Sequence, residues 1–95
     1  MKLSPDERQF IRRALGLDRD RVARRSYYTA RAGREIAIGD ALVARGLAMR
    51  AKQAPTVQTV GFTITFKGFR AACERGETLA DSEFNLMQWR EALAR

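Results

Sequence analysis

Ala41-Leu42-Val43-Ala44-Arg45-Gly46-Leu47 and, about fifteen residues later, Phe62-Thr63-Ile64-Thr65-Phe66-Lys67-Gly68-Phe69 decide how this chain is read. The first segment carries the marks of a helix end: an apolar run, Arg45 in the last turn, then Gly46 at the left-handed position that closes a helix. The second reads as a strand, with Val60, Phe62 and Ile64 alternating onto one face, that runs into Thr65 as a helix N-cap. Between them, Leu47 to Lys52 and the residues from Val57 onward supply two strand arms, with Ala54-Pro55-Thr56 as the turn. The expected centre is therefore helix, β-hairpin, helix, with antiparallel arms near 47–53 and 57–65. Alternation puts Leu47, Met49 and Ala51 on one face of the first arm and Arg50 and Lys52 on the other.

Upstream, Ser4-Pro5-Asp6-Glu7 is a helix start, with Ser4 as N-cap, Pro5 at N1 and Glu7 closing a capping box. This helix runs over 5–15 and stops at Gly16; Phe10, Ile11, Ala14 and Leu15 share a face while Arg12 and Arg13 point away. From Asp18 to Gly33 periodicity fails. A short helical turn fits Arg19 to Arg25, and the stretch after Tyr28 reads as a loop. A second helix is expected from Arg34 to Arg45, with Ile36, Ile38, Leu42 and Val43 buried and Ala37, Ala41 and Ala44 opposite, flanked by Asp40 and Arg45.

Downstream, Phe66, Phe69, Ala72 and Cys73 make the stripe of a third helix that closes over the hairpin and ends at Gly76. Thr78-Leu79-Ala80-Asp81 reads as another capping box, opening a last helix over 79–94. In it Leu79, Ser82, Leu86, Trp89 and Leu93 form one seam for the core. Phe84 and Met87 lie roughly 120° or more away at 100° per residue, which predicts a second contact and a two-fold homodimer. The fold class is α+β: one domain over 1–95, mostly helical with one antiparallel hairpin.

Ninety-five residues make one domain, and 45% apolar composition gives it a small but sufficient core. One cysteine excludes an internal disulfide, and with no histidine a structural zinc site lacks ligands. No apolar run reaches membrane-spanning length, and Met1-Lys2 leads into a capped helix instead of a signal peptide, so a cytoplasmic protein is expected.

Net charge is +7, unevenly placed. Residues 1–31 carry nine Lys or Arg against four acids, whereas 55–95 balance at five against five. The excess is densest from Arg19 to Arg34 and is nearly all arginine, the better fork for phosphate and carboxylate. It fits a solvated surface, a polyanion-binding face or an acidic protein partner.

Tyr27-Tyr28, Ala41-Leu42-Val43, Gly46-Leu47-Ala48-Met49-Arg50, Phe62-Thr63-Ile64-Thr65, Gly68 and Ala71-Ala72 resemble a group of small, largely uncharacterised phage and prophage proteins. Those proteins open with a similar Leu-Ser/Thr-Pro helix, here ending in Ala14-Leu15-Gly16-Leu17. The resemblance covers roughly 3–73 and leaves out the last helix. The hairpin also resembles the wing of winged helix-turn-helix regulators, which implies a winged-helix-like domain. Two departures stand beside it. Only one strong helix precedes the recognition position. The helix in that position shows Ala37, Ala41, Ala44 and Asp40, with almost no donors for reading bases.

No nucleophile–base pair assembles, so no enzyme and no cofactor are expected; Cys73 reads as a small core residue. Asp18 and Asp20 read as partners of the neighbouring arginines instead of a metal pair. Two functions remain. A nucleic-acid-binding module would grip phosphates with Arg19, Arg21, Arg24, Arg25, Arg31 and Arg34, with Arg50 and Lys52 on the wing and Tyr27 or Tyr28 to stack. A protein-binding inhibitor of a host defence complex, of the anti-CRISPR type, would set the same arginines and tyrosines against acidic groups. The tyrosines equally fit a packing role between the first helix and the hairpin.

Overall fold

The computed structural model describes residues 2–31, 33–51 and 59–94. Its elements run α1 (Pro5–Leu15), β1 (Val22–Ala23), β2 (Tyr27–Ala30), α2 (Gly33–Ala44), β3 (Ala48–Arg50), β4 (Val60–Ile64), α3 (Phe66–Ala72), β5 (Thr78–Leu79) and α4 (Asp81–Leu93). The α+β class holds. Both expected hairpin arms are strands, β3 antiparallel to β4, while Lys52 and the Ala54-Pro55-Thr56 turn lie outside the described residues.

The caps expected at Ser4, Gly16, Gly46 and Thr65 form, whereas α3 ends at Ala72 with Cys73 as its cap, short of the expected stop at Gly76. Ser4 Oγ accepts from the Glu7 N–H at 3.1 Å, and Glu7 Oε1 accepts from the Ser4 N–H at 2.9 Å. Gly16 and Gly46 close their helices at φ 78° and 74°, where only glycine is unstrained. Thr65 Oγ1 accepts from the Gly68 N–H at 3.1 Å and starts α3.

The stretch after Tyr28 corrects the loop reading. It is strand β2, paired antiparallel with β4, so the sheet order is β2-β4-β3 with β4 central. Val22–Ala23, where a helical turn was expected, pairs in parallel with β5. Both strands are too short for a period to show in sequence. Thr78 and Leu79 are correspondingly strand residues; α4 begins after Ala80 with no side-chain cap, so the expected second capping box is absent.

One face of the sheet carries Ala30, Tyr28, Phe62, Ile64, Ala48 and Arg50 in register, and α1 and α2 pack on this side of it. Phe10 of α1 meets Tyr28 and Phe62 edge-on, with ring centroids 4.9 and 5.7 Å away. On α2 the deeply buried positions are Gly39 and Leu42, whereas Ile36, Ile38 and Val43 are only half-buried. Gly39 is there because its helix rests on the Phe62 ring: a Cβ would stand 2.5 Å from Cζ.

The last helix reverses its predicted orientation. Met87 is in the core at 1% exposure, and Phe84 packs edge-on against Phe66 at 5.2 Å. Leu86, Trp89 and Leu93 of the expected core seam face outward instead. Met87 is thus unavailable to a second copy, and Phe84 is engaged within its own chain. The cause is polar: Ser26 Oγ donates to Glu83 at 2.6 Å and accepts from Arg90 at 2.7 Å, and Glu91 accepts from the Phe66 N–H at 3.1 Å.

Candidate nucleic-acid interface

The arginines of 19–25 sit on a short, internally braced connection between α1 and β2. After Gly16 the chain turns, and Asp20 Oδ1 accepts from the Arg21 and Val22 N–H groups at 2.7 and 3.3 Å. Pairing with β5 then holds the segment, with the Thr78 N–H donating to the Arg21 carbonyl at 2.9 Å. Arg25 lies back along the end of α1, its Nη2 donating to the Arg13 carbonyl at 2.9 Å and its Nε standing beside Gly16. Arg21 lies against Gly76 in the turn before β5, which brings Arg75 into the same neighbourhood. Sequence reading missed Arg75, because nothing in the chain's linear order brings it to Arg21.

Charge pairing divides the predicted residues. Arg19, Arg21, Arg25 and Arg75 are exposed and, among the described residues, have no carboxylate oxygen within 4.0 Å. Arg24 makes a loose 3.7 Å pair with Asp20. Asp20 is thereby the arginine partner expected; no group of three or more potential metal ligands occurs among the described residues.

The remaining predicted residues do not join this cluster. Arg34 pairs with Asp6 near the N-terminal end of α1, while Arg25 binds the Arg13 carbonyl toward its C-terminal end, so their anchors stand roughly 10 Å apart along the helix. Arg31, beside Arg34 in sequence, is exposed, with its N–H donating to Glu35 at 3.1 Å. Arg50 is not an open wing cation. It forms two hydrogen bonds to Asp40, at 2.8 and 2.7 Å, and its guanidinium lies 5.9 Å from the Phe62 centroid. That fork holds the Asp40 carboxyl below its ordinary value. The expected continuous belt is therefore three separate groups.

The tyrosines also part company. Tyr28 packs on Phe10 and donates to Glu35 Oε2 at 2.6 Å; this hydrogen bond, with burial, raises its pKa. Its role is the packing one. Tyr27 points to the other face of the sheet and is exposed. Cys73 ends α3, half-buried, its thiol donating weakly to the Arg70 carbonyl at 3.7 Å.

A second basic surface has no sequence signature. An open groove of about 1220 Å³ runs past Lys2, Arg8, Arg45, Lys67 and Arg70, with Phe66 and Leu47 among its apolar lining. Its cations are largely engaged: Arg8 with Glu74, Arg45 with Glu7, Lys67 with the Arg45 carbonyl, and Arg70 over the Phe66 ring. Lys2, Lys67 and Arg70 have no carboxylate within 4.0 Å among the described residues, so unneutralised charge lies here as well as at Arg19, Arg21, Arg25 and Arg75. No helix among the described residues is long and apolar enough to cross a membrane. Comparison with family models, curated proteins and solved structures gives no match.

Proposed function

We propose that this chain is a non-enzymatic nucleic-acid-binding module that grips backbone phosphates through Arg19, Arg21, Arg25 and Arg75, with Arg24 and Tyr27 beside them. The observation that carries the reading is the pairing pattern. Carboxylates neutralise Arg8, Arg12, Arg34, Arg45 and Arg50, whereas Arg19, Arg21, Arg25 and Arg75, on the connection after α1 and the turn before β5, have no acidic partner within 4.0 Å among the described residues. Arginine forks on a braced loop suit phosphate oxygens, and counterion release supplies the affinity.

The order α2–β3–β4–α3 supports a winged-helix-like classification, and the reading as a phage or prophage accessory protein rests on the sequence resemblance alone. The α2 face bearing Ala37, Ala41 and Ala44 offers no base-reading donors, so the proposed binding is phosphate-directed and tolerant of sequence.

The test is fluorescence anisotropy with labelled single- and double-stranded oligonucleotides across a salt series. Binding should weaken steeply with salt and be largely abolished in Arg19→Ala/Arg21→Ala/Arg25→Ala. Absence of binding at about 50 mM salt would overturn the reading and favour an acidic protein target for the same arginines.

A further inference from the structure

Helix α4 has two chemically opposite sides. Glu83, Met87, Arg90 and Glu91 face the domain and are held there by Ser26, the core and the Phe66 N–H. On the far side, Ser82, Leu86, Trp89 and Leu93 fall within about 60° of one another. Trp89 is 61% exposed, Leu93 62% and Leu86 36%. Asn85, Gln88 and Ala92 flank them, also exposed. Every exposed residue from Ser82 to Ala94 is uncharged, in a chain of which 31% of residues are charged.

We infer that this face joins two copies of the chain as an antiparallel two-fold dimer. Charge argues for a second copy. Two molecules of net charge +7 repel wherever their basic surfaces meet, and the exposed residues of α4 add no cation of their own to such a contact. A nucleic acid or an anionic bilayer would need cations on the stripe itself, and Leu86, Trp89 and Leu93 supply none; the nearest basic groove, with Lys67 and Arg70, begins at the flank of Gln88 and Ala92. A depleted charge content around an exposed tryptophan, rimmed by Asn and Gln, is the composition of an interface centre.

Area agrees. At the quoted exposures, side chains of about 150–250 Å² leave roughly 250–400 Å² of apolar surface per copy. Two copies bury roughly 500–800 Å², and an interface of about 1,200 Å² that is about three-fifths apolar needs roughly 700 Å². The stripe is also self-complementary: antiparallel pairing sets Leu86 against Trp89 of the partner subunit, and the two-fold repeats that contact. The inference does not depend on nucleic-acid binding, and the two respond oppositely to salt, which screens repulsion between copies but weakens phosphate contacts.

The experiment is light scattering and tryptophan emission on the full chain from the low to the high micromolar range. Trp89 is the only tryptophan, so its emission reports this face alone. The mass should rise from 10.7 kDa toward twice that, more readily at higher salt, as emission moves to shorter wavelength and acrylamide quenching falls. Leu86→Lys/Leu93→Lys should stay a single chain with an unchanged far-UV spectrum; should it misfold, Trp89→Ser followed by mass alone replaces it. A single-chain mass throughout overturns the inference. With Trp89 quenchable it leaves the face to a different protein, and with Trp89 shielded it means the face folds onto its own chain. Open-ended assemblies, or a dimer that survives the substitutions, overturn it as well.

Discussion

The Arg12 guanidinium and the Glu77 carboxylate meet through two hydrogen bonds of 2.6 Å each, across 65 residues of sequence. Arg12 also donates to the carbonyls of Ala72 and Leu17, at 3.0 and 3.1 Å, while Glu77 accepts from the Glu74 N–H at 2.6 Å. One ion pair thus ties the end of α1 to the end of α3 and to the turn that enters β5. It also fixes the frame on which Arg21 and Arg75 stand. Side-chain exposures of 15% and 7% place it well inside the surface. Removing either partner leaves a poorly solvated charge, so Arg12→Ala or Glu77→Ala should cost about 3–5 kcal/mol in denaturant unfolding. Arg12→Lys should recover little, because an ammonium cannot reproduce the fork.

The same pair sets an acid limit. The hydrogen bond from Arg12 lowers the Glu77 pKa below its ordinary 4.5 against the opposing effect of burial. Glu7 is lowered by the Ser4 N–H, and Asp40 by Arg50. A carboxylate that holds its proton less readily when folded stabilises the fold fully above its unfolded pKa. That contribution disappears as pH falls through the lowered, folded value. Unfolding free energy should therefore hold down to about pH 5 and decline below it. Glu77→Gln should be less stable at neutral pH and show a shallower acid decline; an acid profile parallel to wild type would refute the role given to Glu77.

Gly39 and Gly68 both sit in helices, where alanine is intrinsically better by about 1 kcal/mol. Packing reverses the sign. A Cβ on Gly39 meets the Phe62 ring, itself boxed in by Phe10 and Arg50. A Cβ on Gly68 runs into the Leu47 carbonyl oxygen and stands 2.8 Å from Ile64 Cγ2. Gly39→Ala should destabilise by about 1–3 kcal/mol, and Gly68→Ala by more, since backbone yields less than a ring. Urea midpoints of the two variants check both sign and order.

Within nucleic-acid binding, the unpaired arginines should be separable from the paired ones. Deleting a guanidinium that neutralises one phosphate should make the slope of log K against log salt shallower by about 0.9 for duplex DNA. Arg21→Ala and Arg25→Ala are expected to do so, whereas Arg34→Ala and Arg50→Ala should leave the slope unchanged, their charges being already answered by Asp6 and Asp40. Equal effects at all four positions would mean the cluster has no special role.

What was legible in the sequence was local. Ser4, Gly16, Gly46 and Thr65 each act within four residues of themselves, and all four mark the boundaries expected of them. The β3–β4 pairing was legible because both arms alternate. Arg12, assigned to solvent by the apolar face of α1, is consumed by a carboxylate 65 residues away, which no local pattern reveals. The arginine belt failed similarly: nearness in sequence said nothing about which acids would neutralise Arg34 and Arg50. On α4 the period was right and its direction wrong. Its inner side is fixed by Glu83, Arg90 and Glu91 through hydrogen bonds, so the apolar stripe was left for the surface.

That inversion gives a direct test in the dilute monomer. Met87→Ala removes a side chain that is 1% exposed and should cost about 2–5 kcal/mol. Ser26→Ala takes from Glu83 its donor and from Arg90 its acceptor, and should cost about 1–3 kcal/mol by leaving them unsatisfied beneath the helix. Trp89→Ala, although it deletes the largest side chain of α4, should change stability by no more than about 0.5 kcal/mol. Denaturant unfolding followed by circular dichroism ranks the three. If Trp89→Ala proved the most damaging, the apolar seam would face the core after all, and α4 would be turned the other way.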